Sequence, residues 1–183
     1  MSKPVYVYDT EFIEDGHRID LVSIGIVGPE GREYYAVVYD APYHRTRKPE
    51  FAWWRKNVWP HLPTRQDTAA RVPYPLIPDR RNPVVKMKAQ IADEVAEFLT
   101  RDGPPALWAD YSAYDHVALC GLWGPMVNKP ADIPYSTWDL RQEWERQGCP
   151  DLPQQAMGEH HALADALHAK SIARVLGVIP DEQ

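Results

Sequence analysis

Three runs of aliphatic and aromatic residues open the chain: PVYVYDT at 4–10, IDLVSIGIV at 19–27 and EYYAVVY at 33–39. Side chains that alternate in this way suit a pleated strand, whose successive residues point to opposite faces. The turn signals Asp15-Gly16 and Gly28-Pro29-Glu30-Gly31 leave only a few residues between runs. Connections that short join antiparallel neighbours, so the first forty residues predict a three-strand meander.

The next segment obeys a different rule. Residues 41–83 carry eight prolines, a density that prevents long regular elements, and predict an irregular excursion over the surface. Within it EFAWWRKNVW, at 50–59, predicts a short helix. Helical spacing returns at 84–100, where Met87, Ile91, Val95 and Phe98/Leu99 share one face, and Asp102-Gly103-Pro104-Pro105 ends it. ALWADY predicts a strand leading into a helix at 113–123, and YSTWDL a strand leading into a helix at 139–147. The last helix, 161–176, has the stripe Ala162, Ala166, Ala169, Ala173 and Leu176. A meander followed by alternating strands and helices predicts an α/β fold, a mixed sheet flanked by helices. At 183 residues the chain is expected to form a single domain, 1–183.

Two cysteines, Cys120 and Cys149, are too few for a disulfide framework, and neither has a CxxC partner. This, with an N-terminus that lacks a basic then apolar leader, predicts a reduced, cytoplasmic setting. No apolar run is long enough to span a bilayer, so no membrane partner is expected. The formal net charge is −6, but it is unevenly spread. Residues 41–90 hold eleven of the twenty lysines and arginines against three acids, a local balance of +8, leaving −14 elsewhere. Such asymmetry suits a segment that meets a polyanion, although a solvated loop has the same composition.

The chemistry lies in the acids. Asp9 and Glu11 flank Thr10 at the end of the first run, and side chains two apart on a strand share a face. Two carboxylates held together beside apolar residues repel unless a cation lies between them, and oxygen ligands suit Mg²⁺ or Mn²⁺. Asp115 stands near a helix start, where an acid also complements the helix dipole. Asp165 sits among alanines and leucines in EHHALADALHAK, four residues after His161 and five after His160.

Together these motifs resemble the DEDDh branch of the 3′–5′ exonucleases. Asp9-Thr10-Glu11-Phe12 is similar to its first motif, Asp115 in SAYDHVAL to its second, and His160-His161-Ala162-Leu163-Ala164-Asp165 to its third. The similarity is closer still to the actinobacterial polyadenylate-specific exoribonucleases. It runs through IDLVSIGIVGPEGREYY, WWRKNVWPHLP, WADYSAYDHVALCGLWG and WDLRQEW, leaving 61–82 as a longer insertion. The resemblance implies a ribonuclease-H-like fold and two divalent ions, Mg²⁺ or Mn²⁺, held by Asp9, Glu11, Asp115 and Asp165. Asp9 would bridge both ions. Glu11 and Asp165 would complete the one carrying the attacking water, and Asp115 would hold the other. The base would be His160, placed on the loop before the last helix, where Gly158 would give the chain a mobile approach.

Phe12, directly after the acids, is positioned for a terminal base, and Thr10 for contact with the terminal nucleotide. Trp53 and Trp54 precede the cations Arg55 and Lys56, which makes Trp54 and Arg55 candidates for stacking and phosphate contact. The resemblance implies RNA as partner, at a single-stranded or overhanging 3′ end, and a homodimer. Competing readings are the same chemistry on DNA or short oligonucleotides, a catalytically silent nucleic-acid-binding module, and a zinc hydrolase using His160, His161 and His168.

Overall fold

The structure is a computed structural model that describes residues 3–66 and 76–180. The middle of the 61–82 insertion therefore lies outside the described residues. The meander forms as expected from β1 (Val5–Glu14), β2 (Ile19–Val27) and β3 (Glu33–Val38). Then come α1 (Ala52–Asn57), the short strands β4 (Thr64–Gln66) and β5 (Leu76–Pro78), and β6 (Val85–Lys86). The remainder alternates: α2 (Lys88–Thr100), β7 (Ala106–Ala109), α3 (Ala113–Cys120), β8 (Trp138–Asp139), α4 (Leu140–Arg146) and α5 (Ala162–Val175).

Six strands form one sheet in the order β6-β3-β2-β1-β7-β8, while β4 and β5 pair separately. Both pairings of β2 are antiparallel, whereas β1–β7, β7–β8 and β3–β6 are parallel. An antiparallel meander extended by parallel strands and flanked by helices is the mixed α/β arrangement the sequence predicted. The expected helix at 84–100 begins later, because Val85 and Lys86 pair with Val37 and Val38 at the sheet edge. Met87 is accordingly exposed rather than on a buried stripe.

Tyr6, Tyr8, Ile24 and Ile26 pack on one face of the sheet with Ile91, Val95 and Leu99 of α2 and Leu119 of α3. On the other face Val7 meets Ala169, Ile172 and Ala173 of α5. The excursion does not simply run over the surface. Tyr43, Phe51, Trp54, Val58, Trp59 and Leu62 form a second core against Ile13, Val22 and Val37. Proline excludes long elements there, but short helical turns still deliver large aromatics to a common centre. Part of the segment's positive charge is paired within the chain: Arg45 with Asp15 and Asp20, Lys86 with Glu94, and, at the surface, Arg81 with Asp79.

Candidate active site

Strand β1 outruns its neighbour. Its parallel pairing with β7 ends at Val7 opposite Trp108, so Asp9 and Glu11 extend past that edge. On that side the backbone N–H of Thr10 has no strand partner, and Asp115 takes its place. Oδ1 of Asp115 accepts from the Thr10 N–H at 2.9 Å and from the Thr10 hydroxyl at 2.6 Å. An unpaired N–H that burial would have made costly thus anchors the α3 carboxylate beside the β1 pair.

The fourth acid comes from the opposite face. Gly25 lies directly across β2 from Asp9, and Tyr35 lies across from Gly25. A Cβ on Gly25 would stand 2.4 Å from the Ala162 carbonyl carbon and oxygen and from the Leu163 Cα. Without a side chain there, the start of α5 closes on the sheet beside Asp9. His161 caps that helix: its Nδ1 accepts from the Ala164 N–H at 3.3 Å, and its ring stacks on Tyr35 with centroids 4.5 Å apart. Burial lowers the His161 pKa, which favours the neutral ring an accepting nitrogen requires.

His160 bends the other way. Its φ of 68° is left-handed, and its backbone N–H donates to Asp165 Oδ2 at 2.8 Å. Gln155 donates to Asp165 Oδ1 at 2.6 Å. Gly158 has φ of +86°, and a Cβ there would sit 2.9 Å from the Ala164 Cβ. That glycine is therefore needed for conformation and space. The outcome is a set of ligand atoms on Glu11, His160 and Asp165 all within 4.8 Å of one another. Asp9, Glu11, Asp115, His160 and Asp165 line one open cavity of about 710 Å³.

The electrostatics of this cavity call for positive charge. Burial, then Asp115, Asp165 and Glu11, hold the Asp9 carboxyl well above its ordinary range. Burial, then Asp165 and Asp115, push Glu11 up to about 8. Burial raises Asp115 to about 6 against the two Thr10 hydrogen bonds that oppose it. Burial likewise raises Asp165. Four acids that cannot all ionise without help, with the His160 ring beside two of them, form a site that suits a divalent cation.

Residues 5–176 match the family described as the 3′–5′ exoribonuclease Rv2179c-like domain. The chain belongs to this family. The 3′–5′ exoribonuclease Rv2179c of Mycobacterium tuberculosis strain H37Rv is 44% identical over 163 residues, covering 88% of this chain and 86% of the relative. The 3′–5′ exoribonuclease MT2234.1 of strain CDC 1551 matches with the same identity and coverage. Among solved structures, S. pombe Pop2p in its Mg²⁺- and Mn²⁺-bound form aligns with a TM-score of 0.47 at 13% identity, covering 94% of this chain and 83% of that one.

Within this Rv2179c-like chain the other predicted site residues divide. Phe12 lines the cavity, with its ring stacked on Tyr114 at 5.9 Å. Thr10 also lines it, but its hydroxyl and N–H are engaged by Asp115, so it positions a carboxylate rather than offering itself to a nucleotide. Trp54 reaches the cavity wall yet is buried in the second core, and its indole N–H donates to the Phe12 carbonyl at 2.9 Å. It fixes the backbone after the acids and leaves its neighbour Trp53, 59% exposed, at the cavity. Trp53 meets the His160 ring edge-on at 4.9 Å. Arg55 is not among the lining residues; its guanidinium donates to the Thr46 and Lys48 carbonyls. His161 faces Tyr35, and among the described residues no metal-sized cluster joins it to His160 and His168, so the three-histidine zinc arrangement is absent there. Sequence reasoning missed Gln155, Gly25 and Tyr114. Only Tyr114 carried a signal, as the aromatic preceding Asp115.

Proposed function

We propose that this chain hydrolyses RNA from its 3′ end and releases nucleoside 5′-monophosphates, with Asp9, Glu11, Asp115 and Asp165 holding two Mg²⁺ or Mn²⁺ ions and His160 as general base. The observation that carries the reading is the meeting of carboxylates from β1, α3 and α5 with one histidine in a single open cavity. Bound there, the ions would supply an activated water and offset charge on the attacking and leaving oxygens.

The chain's own residues do the rest. Thr10 holds Asp115, and Gln155 and the His160 N–H hold Asp165, so three of the carboxylate oxygens are aimed by hydrogen bonds before any ligand arrives. His160 takes the proton of the attacking water. The water oxygen bonds to phosphorus, the bond to the upstream 3′ oxygen breaks, and that oxygen takes a proton from solvent. Phe12, Tyr114 and Trp53 offer aromatic faces to the terminal base. Preference for RNA, for single-stranded or overhanging ends and for poly(A), and homodimer formation rest on the family resemblance; a cytoplasmic setting rests on the two cysteines, too few for a disulfide framework. Among the described residues no helix is long and apolar enough to cross a membrane.

The test is digestion of 5′-labelled RNA, beside the same sequence in DNA, with Mn²⁺ or with EDTA. The expected result is a ladder shortened from the 3′ end, 5′-monophosphate products and no digestion in EDTA. Full digestion in EDTA, or release from the 5′ end, contradicts the proposal.

A further inference from the structure

The segment between α4 and α5 delivers His160 to the cavity, yet little of its own holds it there. Leu152 still packs against the core formed by Val7 and α5. After it, Gln154, Ala156, Met157 and Glu159 are exposed. Gly158 and His160 both have left-handed φ, 86° and 68°. A histidine stays in that region only where its surroundings hold it. Among the described residues the His160 ring has no hydrogen-bond partner, and it meets Trp53, which is itself exposed. The position of the ring is therefore set by its backbone.

One carboxylate holds that backbone. Gln155 donates to Asp165 Oδ1 at 2.6 Å and the His160 N–H donates to Oδ2 at 2.8 Å, so Asp165 grips the segment on both sides of Gly158. The turn from the His161 N–H to the Gly158 carbonyl adds no tie to the rest of the fold. The two ends of the Gln155 bond depend on it unequally. Asp165 stands in α5, whose start is pinned at Gly25, and it keeps the His160 N–H and its own N–H bond to the His161 carbonyl. The Gln155 side chain has no second hydrogen bond among the described residues. Losing the bond frees the segment far more than it frees the acid.

We infer that Gln155 is a positioning residue for the general base: by bonding Asp165 it clips the segment that carries His160 over the carboxylates. The inference rests on the nuclease reading above, in which His160 takes the proton of the attacking water.

The experiment is a double-mutant cycle on a short RNA at saturating Mn²⁺. Gln155→Ala is expected to lower kcat about tenfold or more and to leave KM near the wild-type value. Added to His160→Ala, the same change is expected to alter the residual kcat less than about twofold, because no base remains to be positioned. Equal losses in the two backgrounds would mean that Gln155 acts on Asp165 alone, and would overturn the inference. Exchange of the His160 amide hydrogen in the metal-free protein reads the clip without turnover. It is expected to be about fivefold faster in Gln155→Ala; unchanged exchange overturns the clip even where His160→Ala is too slow to assay. A wild-type protein that releases no nucleotide overturns the nuclease reading and this catalytic role with it, while the exchange measurement still shows whether Gln155 holds the segment.

Discussion

The helices α2 and α5 close on opposite faces of the sheet with different kinds of side chain. On one, mostly large residues such as Tyr6, Tyr8, Ile24 and Ile26 meet Ile91 and Leu99 of α2. On the other, the alanine stripe of α5 comes down on Val7 and on Gly25, where there is no room for even one carbon more. Large side chains fill volume and can repack, whereas small ones let backbone approach backbone and leave little play. The acids that must meet within a few ångströms, Asp9, Glu11 and Asp165, lie where α5 makes this close approach, beside the aromatic core of Trp54 and Trp59 on the same face. The close approach at Gly25 therefore fixes the start of α5, and with it Asp165, against the strand that carries Asp9.

The sharpest break between the faces is chemical. Asp9→Ala is expected to reduce nucleotide release on the order of a thousandfold or more, while circular dichroism shows the fold retained, since the change removes one of several mutually repelling acids. Next comes a purely steric break. Gly25→Ala forces α5 away from the sheet and is expected to cost on the order of a hundredfold in kcat, because a misplacement of about 1 Å has that scale. Leu99→Ala makes the opposite cut, in the core under α2. It is expected to lower unfolding stability by about 2–5 kcal/mol in urea titration and to leave kcat at its wild-type value. Comparable activity losses from Gly25→Ala and Leu99→Ala would erase the distinction between the faces.

Acidity sharpens the comparison further. In the folded chain Glu11 binds its proton up to about pH 8, against 4.5 for an ordinary glutamate, and Asp9, Asp115 and Asp165 shift in the same direction. The folded state therefore holds more protons than the unfolded one across this window. Without divalent ions, thermal stability is expected to fall as the pH rises from about 4.5 to about 8. Mg²⁺ should flatten that fall, because a bound cation stabilises the ionised acids. A metal-free protein equally stable at both ends would show that these carboxyls are not strained together.

Periodic features were legible in the sequence. The stripe Ala162, Ala166, Ala169, Ala173 and Leu176 is buried as its spacing predicts, and the meander keeps its expected turns. Features set by tertiary opportunity were not. Val85 and Lys86 join a strand because the edge of β3 is available to them. The aromatic core of the excursion is hidden by its prolines, which speak of local backbone and not of where side chains converge. His161 shows the same limit inside the site. A spacing of four from Asp165 is that of neighbours on one helical face, yet His161 closes the helix end and stacks on Tyr35 while His160 turns to the cavity. Gln155 carried no motif, because its role is defined only by the carboxylate it reaches across a loop.

Acids from distant segments must share cations in one cavity if this chain is to cut RNA as proposed. A Mn²⁺ titration of the purified protein, followed by isothermal calorimetry and electron paramagnetic resonance, tests this most directly. The expected result is two ions per chain with the spin coupling of a close pair, and loss of both the coupling and at least one ion in Asp9→Ala. A wild-type chain that binds no Mn²⁺, or an Asp9→Ala variant that binds as many coupled ions as wild type, would contradict it.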